Sequence, residues 1–276
     1  MGLTKYPQYS KGVSLFQIKS FEPPQKFHVP ESENPSYRLA GGTEKLIRKL
    51  VESLPKGAVK LNSRVILIKK NKDGMIAETN DGREIHGDKI VLCIPPQLAT
   101  GIVFSPLLPQ AFDQLLPTVQ TWMAGSIKFT LEYNQPFWRK EGYSGMLYSH
   151  AGIIIEMYDH TNFEENKFGF TGFLNSGASG YSTEVRKEFV LKQLVDLLGP
   201  DASFPTSYFD KVWTDEYILS GSQIIHRPHQ NNGHPSLQQS YMNGRLFFAA
   251  TETAVEFSGY MEGAVIAAKR MSEKLI

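Results

Sequence analysis

The sequence predicts an α+β protein, a mixed α/β assembly in which helices pack on a mixed sheet. Three observations predict it. Strand-length apolar runs between residues 64 and 94 are separated by Asn71-Lys-Asp-Gly74 and Asn80-Asp-Gly82, turn sequences typical of hairpins. Residues 182–198 carry a helical period, and residues 244–270 read as a strand, a polar loop and a helix in succession.

Residues 1–36 read as irregular, because Pro7, Pro23, Pro24, Pro30 and Pro35 interrupt any long pattern; residues 12–18 fit a short strand or a turn of helix. Gly41-Gly42 then opens a helix with Leu46, Ile47, Leu50, Val51 and Leu54 on one face, closed by Pro55 and Gly57. A glycine pair there is either a tight turn or an opening that admits a ligand. Strands are expected at 59–61, 64–68, 75–79 and 84–94, the last ended by Pro95-Pro96 and followed by a short helix.

From Phe104 onward, proline-rich connections lead to a short helix at 109–116 and a long strand at 122–133. Lys128 sits in that strand between Ile127 and Phe129, which on pattern alone marks a solvated face. Strands at 145–148, 152–158 and 167–174 precede the helix at 182–198, for which Thr183 or Ser182 is the N-cap and Val185, Phe189, Leu194, Val195 and Leu198 the apolar face. A strand at 205–213 and a polar loop at 227–239 follow. In the last stretch the apolar run 245–250 is a strand, 251–253 a polar turn, and Ser258 the N-cap of a helix. The N–H groups of Gly259, Tyr260 and Met261 would then be free, and Gly259 and Gly263 would let oxygen acceptors approach.

The 276 residues suffice for one large or two interleaved domains, and 29 basic against 28 acidic residues give no support to a nucleic-acid or membrane-surface partner. Cys93, the only cysteine, lies in an apolar run and reads as a small buried hydrophobe. The N-terminus lacks a signal-peptide core and no apolar run reaches the ~18 residues of a membrane span, so the expectation is a soluble, cytoplasmic protein. His226, His229 and His234 are close in sequence but lack a matching carboxylate or cysteine set, so no metal site is expected. Hydrolase and kinase motifs such as G-x-S-x-G, H-E-x-x-H and the P-loop are absent from the sequence.

The stretch Gly244-Arg-Leu-Phe-Phe-Ala-Ala-Thr-Glu-Thr253, a short gap, then Ser258-Gly-Tyr-Met-Glu-Gly-Ala264 resembles the C-terminal flavin-binding motif of the flavin-containing amine oxidases. It departs from that motif at Ala250, where the family has glycine. The order of glycine pair, helix, meander and Cys93-Ile-Pro-Pro96 is similar to the block that completes the family's flavin-binding domain, and Gly125 to Trp138 is similar to its substrate-domain strand. Trp213 followed by Gly221-Ser222-Gln223 matches a further family spacing.

The resemblance implies an oxidase that transfers a hydride from an amine to FAD. A partial FAD-binding domain at 37–100 and 237–276 would be interleaved with a substrate domain at 101–236. Gly41, Gly42, Val65, Ala250, Thr251, Glu252, Gly259, Tyr260 and Met261 would meet the cofactor. Lys128 would hold a water at flavin N5, and Tyr260 would wall the pocket for a small-molecule amine. Gln223 stands where monoamine-type members carry a second tyrosine, which argues against their substrate range. Ser222 replaces the cysteine of covalently flavinylated members, implying a non-covalent cofactor.

The family's G-x-G-x-x-G turn is not present in residues 1–40, and its loss removes charge-assisted hydrogen bonds worth about 1.5–3 kcal/mol each. FAD would therefore be held weakly. Two readings stand at this point. One is a truncated oxidase, or one part of a split enzyme completed by a second polypeptide, with a leftover apolar face that drives homo-oligomer formation. The other is a catalytically inactive, oxidase-like module for binding or interaction.

Overall fold

The computed structural model describes residues 3–5, 13–17, 25–28, 37–214 and 229–275, with the backbone alone before residue 37. In chain order the elements are β1 (Leu3–Lys5), β2 (Val13–Gln17), β3 (Gln25–His28), β4 (Tyr37–Leu39), α1 (Glu44–Glu52), β5 (Val65–Lys70), β6 (Met75–Thr79), β7 (Glu84–Gly87), β8 (Ile90–Leu92) and β9 (Val103–Ser105). There follow α2 (Gln110–Leu115), β10 (Ile127–Tyr133), α3 (Phe137–Lys140), β11 (Tyr143–Ser149), β12 (Ile154–Asp159), β13 (Phe168–Leu174), α4 (Thr183–Leu198), β14 (Ser207–Val212), β15 (Leu246–Phe248) and α5 (Met261–Leu275). They form two compact units: Met1–Ala58 with Gly125–Trp213, and Val59–Ala124 with Thr214–Ile276.

The first unit is built on a seven-stranded sheet of order β14-β10-β13-β12-β11-β2-β3, antiparallel except where β11 meets β2. Alternation along β10 decides its two faces: Ile127, Phe129, Leu131 and Tyr133 are buried while Lys128 and Glu132 are exposed. The buried side joins Trp138, Leu147, Ile154, Met157 and Phe170 to Val190, Leu194 and Leu198 of α4 in one core. Asp159 anchors the turn below it, accepting from Trp138 Nε1 at 2.9 Å, Arg139 Nε at 2.7 Å and the Thr161 N–H at 2.8 Å.

The helix α4 forms where the period placed it, with the Ser182 hydroxyl accepting from the Val185 N–H, and of the expected face Leu194 and Leu198 are buried and Val195 packs against the core. Arg186, Val190, Gln193 and Leu197 face inward beside them, whereas Phe189 is 42% exposed. The polar members each have a partner. Arg186 donates to both carboxylate oxygens of Asp210 at 2.7 Å, and Gln193 Oε1 accepts from the Ile154 N–H at 2.8 Å. Buried polar groups satisfied in this way invert an apolar-residue count.

In the second unit β7, β6, β5 and β9 form a four-stranded sheet, and β8 pairs in parallel with β15. Leu246 and Phe248 of β15 enter a core with Ile68, Met75, Phe112, Leu116 and Tyr241, while Phe247 turns the other way toward Ala249 and Met271 of α5. The Arg270 guanidinium fixes α5 to the preceding loop, donating to the Thr253 carbonyl at 3.0 Å, Thr253 Oγ1 at 2.9 Å and the Phe248 carbonyl at 3.2 Å.

Several expectations are corrected. Residues 59–61 form no strand, and the run 84–94 is two strands, β7 in the meander and β8 against β15. β10 starts at Ile127 rather than 122, because Met123 and Gly125 adopt left-handed backbone at φ 64° and 78°. Cys93 is exposed, one residue past the end of β8 on the side opposite the buried Leu92. The helix α1 forms, yet none of its residues is buried; Ile47, Leu50, Val51 and Leu54 stay about half exposed. Among the described residues no helix is long and apolar enough to cross a membrane.

Candidate functional site

The turn between β15 and α5 is held by its own side chains. Thr251 Oγ1 accepts from the Gly259 N–H at 3.0 Å and donates to the Tyr260 carbonyl at 2.8 Å, so one hydroxyl closes the loop. The Ser258 hydroxyl instead donates to Asn232 Oδ1 at 2.6 Å, and α5 begins at Met261, so Ser258 does not cap the helix as expected. The Gly259 and Tyr260 N–H groups are engaged by Thr251 and the Phe257 carbonyl. Gly263 has no room to spare either: a Cβ there would lie 2.2 Å from the Phe257 carbonyl oxygen and 2.7 Å from Thr251 Oγ1.

This turn presents Tyr260, 48% exposed, between two rings. Trp122 packs on it with centroids 4.3 Å apart, and His229 lies 6.3 Å away and nearly parallel at 16°. Gly259, at φ 84°, is what allows the approach, since a Cβ would stand 2.9 Å from the Trp122 Cβ. The Ala250, Thr251 and Glu252 backbone leads into this turn. Glu252 is 1% exposed, its carboxyl pushed above the usual range by burial, opposed by a Thr121 hydrogen bond. Val65 opens β5 in the same unit and packs against its main core.

The first unit holds the other candidates. Gly41 and Gly42 take consecutive left-handed conformations at φ 85° and 82°; a Cβ on Gly42 would meet nothing within 4 Å, while one on Gly41 would meet the Lys45 side chain at 3.2 Å. Lys128 projects from the open face of the sheet with Nζ 5.8 Å from the centre of the Phe173 ring. On the same face Tyr158 donates to Glu156 Oε1 at 2.5 Å, and the Tyr148 and Tyr158 hydroxyls are 2.6 Å apart. Partial burial, then Glu156 and Tyr148, hold the Tyr158 phenol protonated well beyond its ordinary range. His160 is pushed down to about 4 by desolvation of its protein-facing side and by the Arg38 and Lys128 cations.

Gln223, Ser222 and His226 lie outside the described residues. His229 and His234 are accounted for by the ring contact and by accepting from the Ser236 N–H; among the described residues no cluster of three metal-ligating side chains is present. Trp122, His229 and the Tyr148–Tyr158–Glu156 chain escaped the sequence reading. Their one local signal was polar Glu156 and Tyr158 two apart within a strand, which places both on one face.

Comparison with known proteins assigns the lineage. The profile of the flavin containing amine oxidoreductases matches residues 2–276. A probable flavin-containing monoamine oxidase A of Dictyostelium discoideum is 32% identical over 250 residues, covering 86% of this chain and 53% of that protein. The flavin-containing amine oxidase B of Homo sapiens is 29% identical over 252 residues, covering 87% and 47%. The solved structure of putrescine oxidase bound to putrescine superposes with a TM-score of 0.74 at 25% identity, over 87% of this chain and 54% of that one. The chain spans about half the length of these relatives. With its two-unit mixed fold and a family profile that matches residues 2–276, this chain belongs to the flavin-containing amine oxidoreductases.

Proposed function

We propose that the chain carries the substrate face and the C-terminal flavin contacts of an FAD-dependent amine oxidase. The observation that carries the reading is the turn Gly259–Met261, whose backbone Thr251 locks and whose half-exposed Tyr260 ring is backed by Trp122. The residues present fit one part of the cofactor. Ala250, Thr251, Glu252, Gly259, Tyr260 and Met261 would lie along its flavin end, Gly41 and Gly42 leave backbone open to a ligand, and Val65 would meet the adenine end. Bound FAD would supply the acceptor for a hydride from the carbon beside the amine nitrogen.

The chain's own residues would do the rest. Tyr260 would form a dry wall that favours a neutral amine, the form able to react, because low-polarity surroundings disfavour the ammonium. Lys128, exposed on the sheet face, would hold a water near the reacting centre. Domain roles follow: residues 101–236 would be mainly the substrate domain, and 37–100 with 237–276 the flavin domain. Ser222, where covalently flavinylated members carry cysteine, favours a non-covalent hold, and a second polypeptide carrying a G-x-G-x-x-G turn would complete the phosphate site. The alternative is an inactive binding module, favoured by Ala250 where the family motif has glycine.

Titrating FAD into the purified chain, with flavin fluorescence and thermal stability followed together, separates the two. Saturable quenching with a rise in Tm, followed by peroxide release on adding amines, is the expected result. No quenching and no stabilisation would end the catalytic reading of this chain alone.

A further inference from the structure

We propose that β14, the edge strand of the seven-stranded sheet, pairs antiparallel with β14 of a second copy of this chain, joining two sheets across a two-fold axis at Asp210. The inference goes beyond the oxidase reading and depends on neither FAD nor an amine.

The sheet ends at β14, and among the described residues no strand pairs with its outer side. The ladder to β10 fixes which groups point there. The Trp213 N–H donates to the Ser126 carbonyl at 2.9 Å, so by the alternation of an antiparallel ladder Lys211, Phe209 and Ser207 turn their backbone polar groups toward β10. Tyr208, Asp210 and Val212 turn theirs outward. A second β14 satisfies all of these outward groups in a single register, with Asp210 opposite its own copy and Tyr208 opposite the second copy's Val212.

That register makes the side chains complementary as well. Lys211 stands directly opposite Lys128 of β10, and like charges so placed repel. Lys211 lies over the Trp213 ring, its Nζ 5.3 Å from the ring centre. In the paired sheet Lys211 comes opposite the second copy's Phe209, and Ser207 opposite the second copy's Trp213. Phe209, 65% exposed, thereby gains a cation, and the contact occurs twice across the axis. A lysine on an edge strand usually keeps sheets apart, but this one meets an aromatic ring on a copy of its own strand. On the opposite face Asp210 comes beside its copy. Each of those carboxylates is turned into its own core, 1% exposed and neutralised by Arg186, so the charge that would oppose pairing is already cancelled.

The test is sedimentation velocity of the full chain across about 1–100 μM, the range in which an interface of modest area associates. A concentration-dependent equilibrium of monomer and dimer is expected. Lys211→Glu attracts Lys128 within the chain but sets a carboxylate against the second copy's Phe209, so the dimer should weaken about tenfold while the urea midpoint holds or rises. Val212→Pro removes an outward N–H and leaves the bonds to β10 in place; it should weaken the dimer likewise and serves if the glutamate variant does not fold. Cross-linking reads the register. In a Cys93→Ser background, Ser207→Cys with Trp213→Cys puts two thiols directly opposite each other between copies, whereas within one chain they stand about 20 Å apart. Oxidised glutathione is expected to give a covalent dimer from this double variant and from neither single one. A monomer throughout the range, a dimer that neither Lys211→Glu nor Val212→Pro weakens, or a double variant that does not cross-link overturns the proposal.

Discussion

Trp122 and Tyr260 pack ring against ring at 4.3 Å and 48°, although one lies just ahead of β10 and the other at the head of α5. The contact fixes the side chain proposed to wall the amine pocket. Trp122→Ala should remove about 0.5–1.5 kcal/mol of ring interaction beyond the lost burial. It should also weaken FAD binding, because Tyr260 is then free to rotate. Differential scanning calorimetry and flavin quenching together check it; an unchanged affinity for FAD would show that Tyr260 does not need its neighbour.

The Arg186–Asp210 pair is closed off from solvent, with side chains 7% and 1% exposed, and Tyr208 donates to the same carboxylate at 2.7 Å. Asp210→Asn leaves a buried guanidinium without its counter-charge and should cost about 3–5 kcal/mol in urea unfolding. Replacing both partners with apolar residues should cost far less. A double variant as unstable as the single one would mean that the packing, rather than the charge, carries the effect.

Glu252 sets a pH dependence whose sign is fixed by its raised pKa. The folded state favours the protonated carboxyl, so its contribution is full below the ordinary value of 4.5 and is lost as pH rises through the folded value. Against Glu252→Gln, the natural protein should lose relative stability as pH climbs from about 4 toward neutrality and then level off. Urea midpoints of the two proteins across that range decide it; a constant gap would mean that the carboxyl titrates normally.

The sequence was most legible where the pattern is local. The strand, polar turn and helix of residues 246–275 and the hairpins from Val65 to Gly87 follow from period and turn chemistry, and the motif around Tyr260 was enough to name the lineage. It was least legible where a distant partner decides. Ser258 has every local mark of an N-cap, but Asn232 takes its hydroxyl and Thr251 serves the turn. The stripe on α4 is legible only in part, at Leu194 and Leu198, because Arg186 and Gln193 are polar by identity and buried by partnership. Trp122 and His229 reach Tyr260 only through the folded chain, and Glu156 acquires its setting from β11 and β13, neither of which can be read from β12 alone.

The parallel pairing of β15 with β8 has a consequence for biosynthesis. Between those strands the chain builds the whole second segment of the first unit, so β15 leaves the ribosome only after that segment has been made. While translation proceeds, Ile68, Met75 and Phe112 must wait without Leu246 and Phe248, an apolar surface displayed to the cell until β15 emerges. A nascent chain stalled before Leu246 would be a client for chaperones, and one extended past Phe248 would be able to hide that surface.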